Sequence, residues 1–255
     1  MTPTIEQTGD YIATAGKAAW EVPGLDANTP QRQIKTVGII GAGTMGGGIA
    51  MNFATADYDV KIVETTQEAL DRGLAVVRGN YQRSADKGRF PQEEVEARMG
   101  RFDGRLSVAD LADCDLVIEA VFENMDLKRT IFTELDRVMK KGAILATNTS
   151  ALNIDEIAGM TQRPQDVIGL HFFSPANVMK LLEIVRAKHT ADDVVATSMA
   201  LAARINKIAA LVGVCPGFVG NRILFARQIQ ANKLLAKGLM PWDVDAALNA
   251  FGFKM

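Results

Sequence analysis

The chain has 255 residues, 48 % of them hydrophobic, which is material enough for one large domain or two modest ones. A formal net charge of -2 supplies no global field for nucleic acid or an anionic membrane, so an anionic ligand must be met by a local site. Cys114 and Cys215, like His171 and His189, follow no disulfide or metal-ligand spacing, and no apolar run is long enough to cross a bilayer. No leader-like pattern opens the chain, so a cytoplasmic protein is the default expectation, with an organelle matrix the alternative in a cell that has peroxisomes.

Residues 1–33 are polar and irregular, and Pro23 and Pro30 frame Gly24, Asp26 and Asn28 in a stretch that reads as a turn-rich linker. From Lys35 onward β-rich runs alternate with helical periodicity. The runs are Thr36–Gly41, Asp59–Glu64, Asp115–Val121, Ala143–Thr147, Val167–Phe172 and Leu181–Val185. Such alternation predicts an α/β fold, a Rossmann-type doubly wound, mostly parallel sheet. The charged segment from Gln67 to Arg98, broken by Pro91, reads as a helical pair standing off that sheet. Helices are expected at about 126–140, 152–160 and 191–206, the last opening with Thr190, Asp192 and Asp193, which suit a cap and a positive helix start. After one more apolar run, Ile208–Val214, the Pro216-Gly217 pair marks a boundary. Helical periodicity resumes over Phe218–Lys237 and stops at Gly238.

The sharpest local signal is V-G-I-I-G-A-G-T-M-G, where Gly41, Gly43 and Gly46 fit G-x-G-x-x-G between a strand and a helix. The first glycine permits the tight turn, the second lets a pyrophosphate approach the backbone, and the third lets helix and strand pack closely. Thr44 and Met45 lie inside the turn, at a helix N-terminus whose free N–H groups favour an anion. The next strand ends at Glu64, where a carboxylate can accept from the adenosine ribose hydroxyls and would repel a 2′-phosphate, so NAD is expected over NADP. A flavin or another nucleotide is the alternative. The expected organisation is a linker over 1–33, an NAD-binding domain over 34–214 and the start of an incomplete helical domain over 215–255.

Oxidation of an alcohol by a nicotinamide needs a base for the hydroxyl proton. His171 lies at the carboxyl end of its strand, the edge where open α/β sheets bind ligands, whereas His189 sits in the charged approach to a helix. Glu183 interrupts the apolar run Leu181–Val185, an expensive place for a carboxylate unless it is paired, and a His–Glu pair would orient the imidazole. Taken alone, a histidine at a strand end is as often structural, and a strand glutamate as often faces solvent. Ser150 alone reads as a helix cap and Asn221 as an ordinary polar residue at a helix start.

Together the segments G-A-G-T-M-G, V-I-E-A-V-F-E-N-M-D-L-K, A-T-N-T-S, G-L-H-F-F-S-P and P-G-F-V-G-N-R resemble the 3-hydroxyacyl-CoA dehydrogenase family over about residues 34–255. The S-P after H-F-F, followed by N-V-M-K-L-L-E, looks like the dehydrogenase portion of multifunctional fatty-acid β-oxidation enzymes, in which a hydratase module and a linker precede it. The resemblance implies oxidation of (S)-3-hydroxyacyl-CoA to 3-oxoacyl-CoA, with His171 as general base and Glu183 as its partner. It further implies that Ser150 and Asn221 position the substrate, that Glu64 holds the adenosine ribose, and that Glu123 and Lys128 contact the cofactor. The segment at about 67–98 would be a helical clamp over CoA, with Arg78, Arg83, Lys87 and Arg89 as candidates for its phosphates; a solvated charged face is the alternative for each. The family continues past G-F-K-M with further helices that close the site and in many members form a homodimer. The second expectation is therefore a non-catalytic NAD-binding remnant. The partners expected are an acyl-CoA and a second copy of the chain, with no nucleic acid and no membrane.

Overall fold

The computed structural model describes residues 5–253. Residues expected as irregular linker contain a helix, α1 (Ile5–Ala18), because Ala13, Ala15 and Ala18 favour helix and no proline falls within it. The turn-rich chain begins only after it, and residues 1–4 lie outside the described residues. Val22 and Leu25 then pack on the core, and the Arg32 guanidinium bonds Asp166 and Asp193 at 2.7 and 2.8 Å, so the lead-in is seated on the domain.

The strands are β1 (Thr36–Ile40), β2 (Asp59–Val63), β3 (Phe102–Arg105), β4 (Leu116–Glu119), β5 (Ile144–Thr147), β6 (Val167–Phe172), β7 (Leu181–Arg186) and β8 (Ile208–Gly213). They form one sheet in the order β3-β2-β1-β4-β5-β6-β7-β8. Every pairing is parallel except β6 with β7. The chain between those two strands, residues 173–180, is too short for the crossover that a parallel pair needs. Strand β3 escaped the sequence reading because F-D-G-R is short, polar and only half apolar in pattern, as befits an edge.

Helices cover both faces. On one side α2 (Thr44–Thr55) and α7 (Asp192–Arg204) bury Ile49, Phe53, Val195 and Leu201 against Ile39, Ile118 and Leu170. On the other, α5 (Met125–Val138) and α6 (Ile154–Ala158) bury Phe132, Leu135 and Ile157 against Ile40, Val117 and Leu145. This double cover explains why the strands read as continuous apolar runs. The charged segment forms α3 (Gln67–Asp86) and α4 (Glu93–Met99), which build a small core of their own from Val77, Tyr81 and Val95 on Met51 of α2.

Two further helices follow β8, α8 (Gly220–Ala236) and α9 (Pro241–Phe251), and neither buries a residue. Ile223, Phe225, Ile229 and Trp242 are exposed on them. No helix among the described residues is long and apolar enough to cross a membrane.

Candidate dinucleotide and catalytic site

The glycine turn is built as its spacing requires. Gly41 has φ +99°, a conformation that side chains disfavour, and a Cβ at Gly46 would lie 1.8 Å from the Gly41 carbonyl oxygen. A Cβ at Gly43 would meet open space, so that face of the turn is free for a ligand. The first turn of α2, including Thr44 and Met45, has neither a side-chain cap nor an acidic residue, which leaves its N–H groups and positive end unneutralised. At Gly73 of α3 a Cβ would lie 2.5 Å from the Ala42 Cβ, so the helical pair is pressed against the turn. Glu64, just past β2, accepts from the Ala42 N–H at 2.8 Å and the Thr65 N–H at 3.0 Å. It stands beside the turn with lone pairs to spare for a ribose diol. These features fit a dinucleotide.

His171 and Glu183 are directly opposite one another in the antiparallel register of β6 and β7. Leu170 and Phe172 turn to the α2–α7 face, so His171 and Glu183 share the other. The imidazole Nδ1 is 2.8 Å from Glu183 Oε2, with His171 5 % and Glu183 1 % exposed. The second carboxylate oxygen accepts from the backbone N–H of Val219 at 3.0 Å and Gly220 at 2.8 Å, at the start of α8. Burial pushes the Glu183 carboxyl upward, but the bonds from His171, Gly220 and Val219 outweigh it and hold the group below its ordinary value. Phe173 and Phe218 flank the ring, their centroids 4.5 and 5.5 Å from it. Gly217 and Phe218 both have positive φ, and the complete burial of Phe218 holds that turn in place.

A cavity of about 360 Å³ joins these groups to the turn, lined by Met45, Glu123, Asn148, Ser150, His171 and Asn221 among others. Asn221 Nδ2 donates to the Ser150 carbonyl at 3.3 Å. Glu123 Oε1 accepts from the Thr149 hydroxyl at 2.7 Å, the Ser150 N–H at 2.8 Å and the Ser150 hydroxyl at 3.1 Å. Partial burial raises the Glu123 carboxyl, and the Thr149, Ser150 and Lys128 interactions more than reverse this, so it too is held low. Lys128 is not at the cavity: it is 1 % exposed, and its ammonium reaches only Glu119, at 2.7 Å from both oxygens, and Glu123, at 3.7 Å. Sequence reading missed Glu119, the last residue of the apolar strand β4. It also missed Asn148, whose side-chain oxygen accepts from the Phe172 N–H at 2.8 Å.

Of the four basic residues suggested for phosphates, Arg78 is paired with Glu96 across α3 and α4, Arg83 is bonded to Asn80, and Lys87 is exposed. Arg89 lines a second cavity of about 460 Å³ with Arg98, Lys180 and Lys207. Burial, and secondarily Lys180, pushes the Lys207 amine down to about 8.

A doubly wound sheet carrying a dinucleotide turn, with a carboxylate-paired histidine beside it, defines the class of NAD-linked oxidoreductases. The family model for the "3-hydroxyacyl-CoA dehydrogenase, NAD binding domain" matches residues 36–215, and that for the "3-hydroxyacyl-CoA dehydrogenase, C-terminal domain" matches 217–255. The chain belongs to the 3-hydroxyacyl-CoA dehydrogenase family. It is 45 % identical over 253 residues to the peroxisomal bifunctional enzyme of Cavia porcellus, covering 98 % of this chain and 34 % of that one. Among solved structures it resembles the (S)-3-hydroxybutyryl-CoA dehydrogenase PaaH1 from Ralstonia eutropha, with TM-score 0.82, 37 % identity and coverage of 85 % and 77 % of the two chains. It likewise resembles the dehydrogenase part of multifunctional enzyme 1 from C. elegans, with TM-score 0.73, 32 % identity and coverage of 98 % and 59 %. The chain spans about a third of the length of the curated relatives it matches.

Proposed function

We propose that the chain carries the catalytic groups for oxidation of (S)-3-hydroxyacyl-CoA to 3-oxoacyl-CoA, a step of fatty-acid β-oxidation, with release of NADH and a proton. The observation that carries this reading is the 2.8 Å contact of His171 Nδ1 with Glu183 in the cavity that opens beside the dinucleotide turn. Glu183, ionised, accepts a hydrogen bond from Nδ1–H and so holds the proton on that nitrogen, which leaves the Nε2 lone pair free to accept the substrate hydroxyl proton. The same carboxylate stabilises the imidazolium that results. Ser150 and Asn221, bonded to each other, position the hydroxyl and thioester. Glu64 and the turn residues Gly41, Gly43, Thr44, Met45 and Gly46 hold the cofactor, which when bound supplies the hydride acceptor. Lys128 acts on the site through Glu123, since its ammonium is enclosed.

The organisation proposed is a lead-in over 1–33, an NAD-binding domain over 34–214 with its helical clamp at about 67–98, and part of a helical domain over 215–255. Helices α8 and α9 bury no residue, which favours their covering by further helices of a C-terminal domain or by a second copy of the chain. The same observation favours, for this stretch tested alone, NAD binding with feeble turnover. In a cell with peroxisomes the matrix is the proposed compartment, as relatives named peroxisomal and glyoxysomal suggest.

The test is His171→Ala, with NADH formation from (S)-3-hydroxybutyryl-CoA followed by absorbance and NAD affinity by calorimetry. Turnover should fall about a hundredfold to ten-thousandfold while NAD affinity is kept. Near-full turnover at neutral pH would remove His171 from the reaction.

A further inference from the structure

Glu119 takes no part in the reaction proposed above, yet it is wholly enclosed at the carboxyl end of β4. Its carboxylate is fully engaged. The Lys128 ammonium lies 2.7 Å from each oxygen, the Thr147 hydroxyl donates to Oε2 at 2.7 Å, and the Val121 N–H donates to Oε1 at 2.9 Å. Taking both ions out of water costs about as much as their attraction returns, and apolar replacements of such pairs are often no less stable. Stability alone therefore gives no reason for an ion pair here. Its geometry does.

Glu119 pins the ammonium at one point, 3.7 Å from Glu123 Oε2. The Glu123 side chain is 39 % exposed and would gain hydration by turning outward. Instead its Oε1 gathers the Thr149 hydroxyl, the Ser150 N–H and hydroxyl, and the Ala151 N–H at 3.2 Å. A continuous line of charge-assisted contacts thus runs from the sheet interior to Ser150 on the cavity wall.

We infer that Glu119 is a positioning residue: it fixes Lys128 as the anchor of Glu123, and Glu123 in turn fixes Ser150 at the wall that faces His171. The consequence for turnover rests on the reaction proposed above, whereas the geometry from Glu119 to Ser150 is independent of it.

The single variant Glu119→Gln strands a buried ammonium and can fail to fold, so the deciding variant is Glu119→Gln combined with Lys128→Met, which removes both charges and keeps the volume. Its folding is checked by melting temperature. In the folded double variant, nitrogen-15 spectra should show the Ser150 and Ala151 amides shifted and exchanging with solvent on the order of tenfold faster. With (S)-3-hydroxybutyryl-CoA, kcat/KM should drop by the factor seen for Ser150→Ala, and adding Ser150→Ala should cause no further drop. Wild-type shifts and exchange at Ser150 and Ala151 in the folded double variant would overturn the inference. If the wild-type protein oxidises no 3-hydroxyacyl thioester, the proposed reaction falls, and the two amides still decide whether Glu119 positions Ser150.

Discussion

Replacing Glu183 by glutamine probes the dyad more sharply than any truncation, because the surroundings dictate how the amide must sit. The Val219 and Gly220 N–H groups both point at Glu183 Oε1, at 3.0 and 2.8 Å. The glutamine oxygen must stay there, since the reversed amide would strand two buried donors at about 1–3 kcal/mol each. The NH2 group then faces His171 Nδ1, which has to become an acceptor. The imidazole proton moves to Nε2, and the ring presents a donor where the proposed base needs a lone pair. In the serine-protease triad the equivalent change of tautomer lowers kcat about 10⁴-fold, or about 5.4 kcal/mol of barrier. The expected result here is a fall in kcat of about 10³- to 10⁴-fold, with NAD affinity kept and a lowered melting temperature, since the neutral amide lacks the charge that these bonds stabilise. Steady-state NADH formation gives kcat, and calorimetry gives the affinity. A folded Glu183→Gln protein with kcat within about threefold of wild type would refute the tautomer argument, since loss of a general base costs about a hundredfold or more.

Other outcomes follow from the same geometry. Glu64→Ala should narrow a strong preference for NAD over NADP in calorimetry, because it removes both the proposed ribose acceptor and a charge that would repel a 2′-phosphate. Gly46→Ala should abolish NAD binding, as its Cβ would sit 1.8 Å from a backbone oxygen and the turn must open; unchanged affinity would contradict that. Glu123 and Glu183 are both held below the ordinary carboxylate range, so they add stability above about pH 4, and it is lost as pH falls through their depressed values. Thermal melting from neutral to acid pH should therefore show an acid limb that shrinks in the Glu123→Gln protein. Burial pushes the Cys114 thiol up to about 12, so iodoacetamide at mildly alkaline pH should leave it unmodified until the protein unfolds, as read by mass spectrometry.

Much of this protein was legible because its signals are local. The turn from Gly41 to Gly46 needs its glycines whatever lies elsewhere, and the apolar runs at β1, β2 and β4 to β7 follow from burial on both faces. His171 could be singled out as the histidine at a strand's carboxyl end. Features without such a local signal stayed hidden: β3 is a polar edge, and α1 resembles solvated chain because Ile5, Tyr11 and Ile12 are its few large apolar residues and Gly9 and Gly16 interrupt it.

The sequence by itself determined the fold class, the dinucleotide turn, the acid at the end of β2 and the candidate base. Tertiary structure alone decided what those residues touch. His171 meets Glu183 because the short link at residues 173–180 forces an antiparallel pair whose register sets them opposite. Lys128 is spaced from Glu123 as though both faced the same ligand, yet it turns inward to Glu119, nine residues before it in the chain. Arg78 is drawn off to Glu96, while Arg89 reaches a cavity with Lys180 and Lys207, far along the sequence. Residue type and spacing set which interactions a side chain can make, but a charge takes the partner that compensates its lost hydration, and only the folded chain brings that partner within reach.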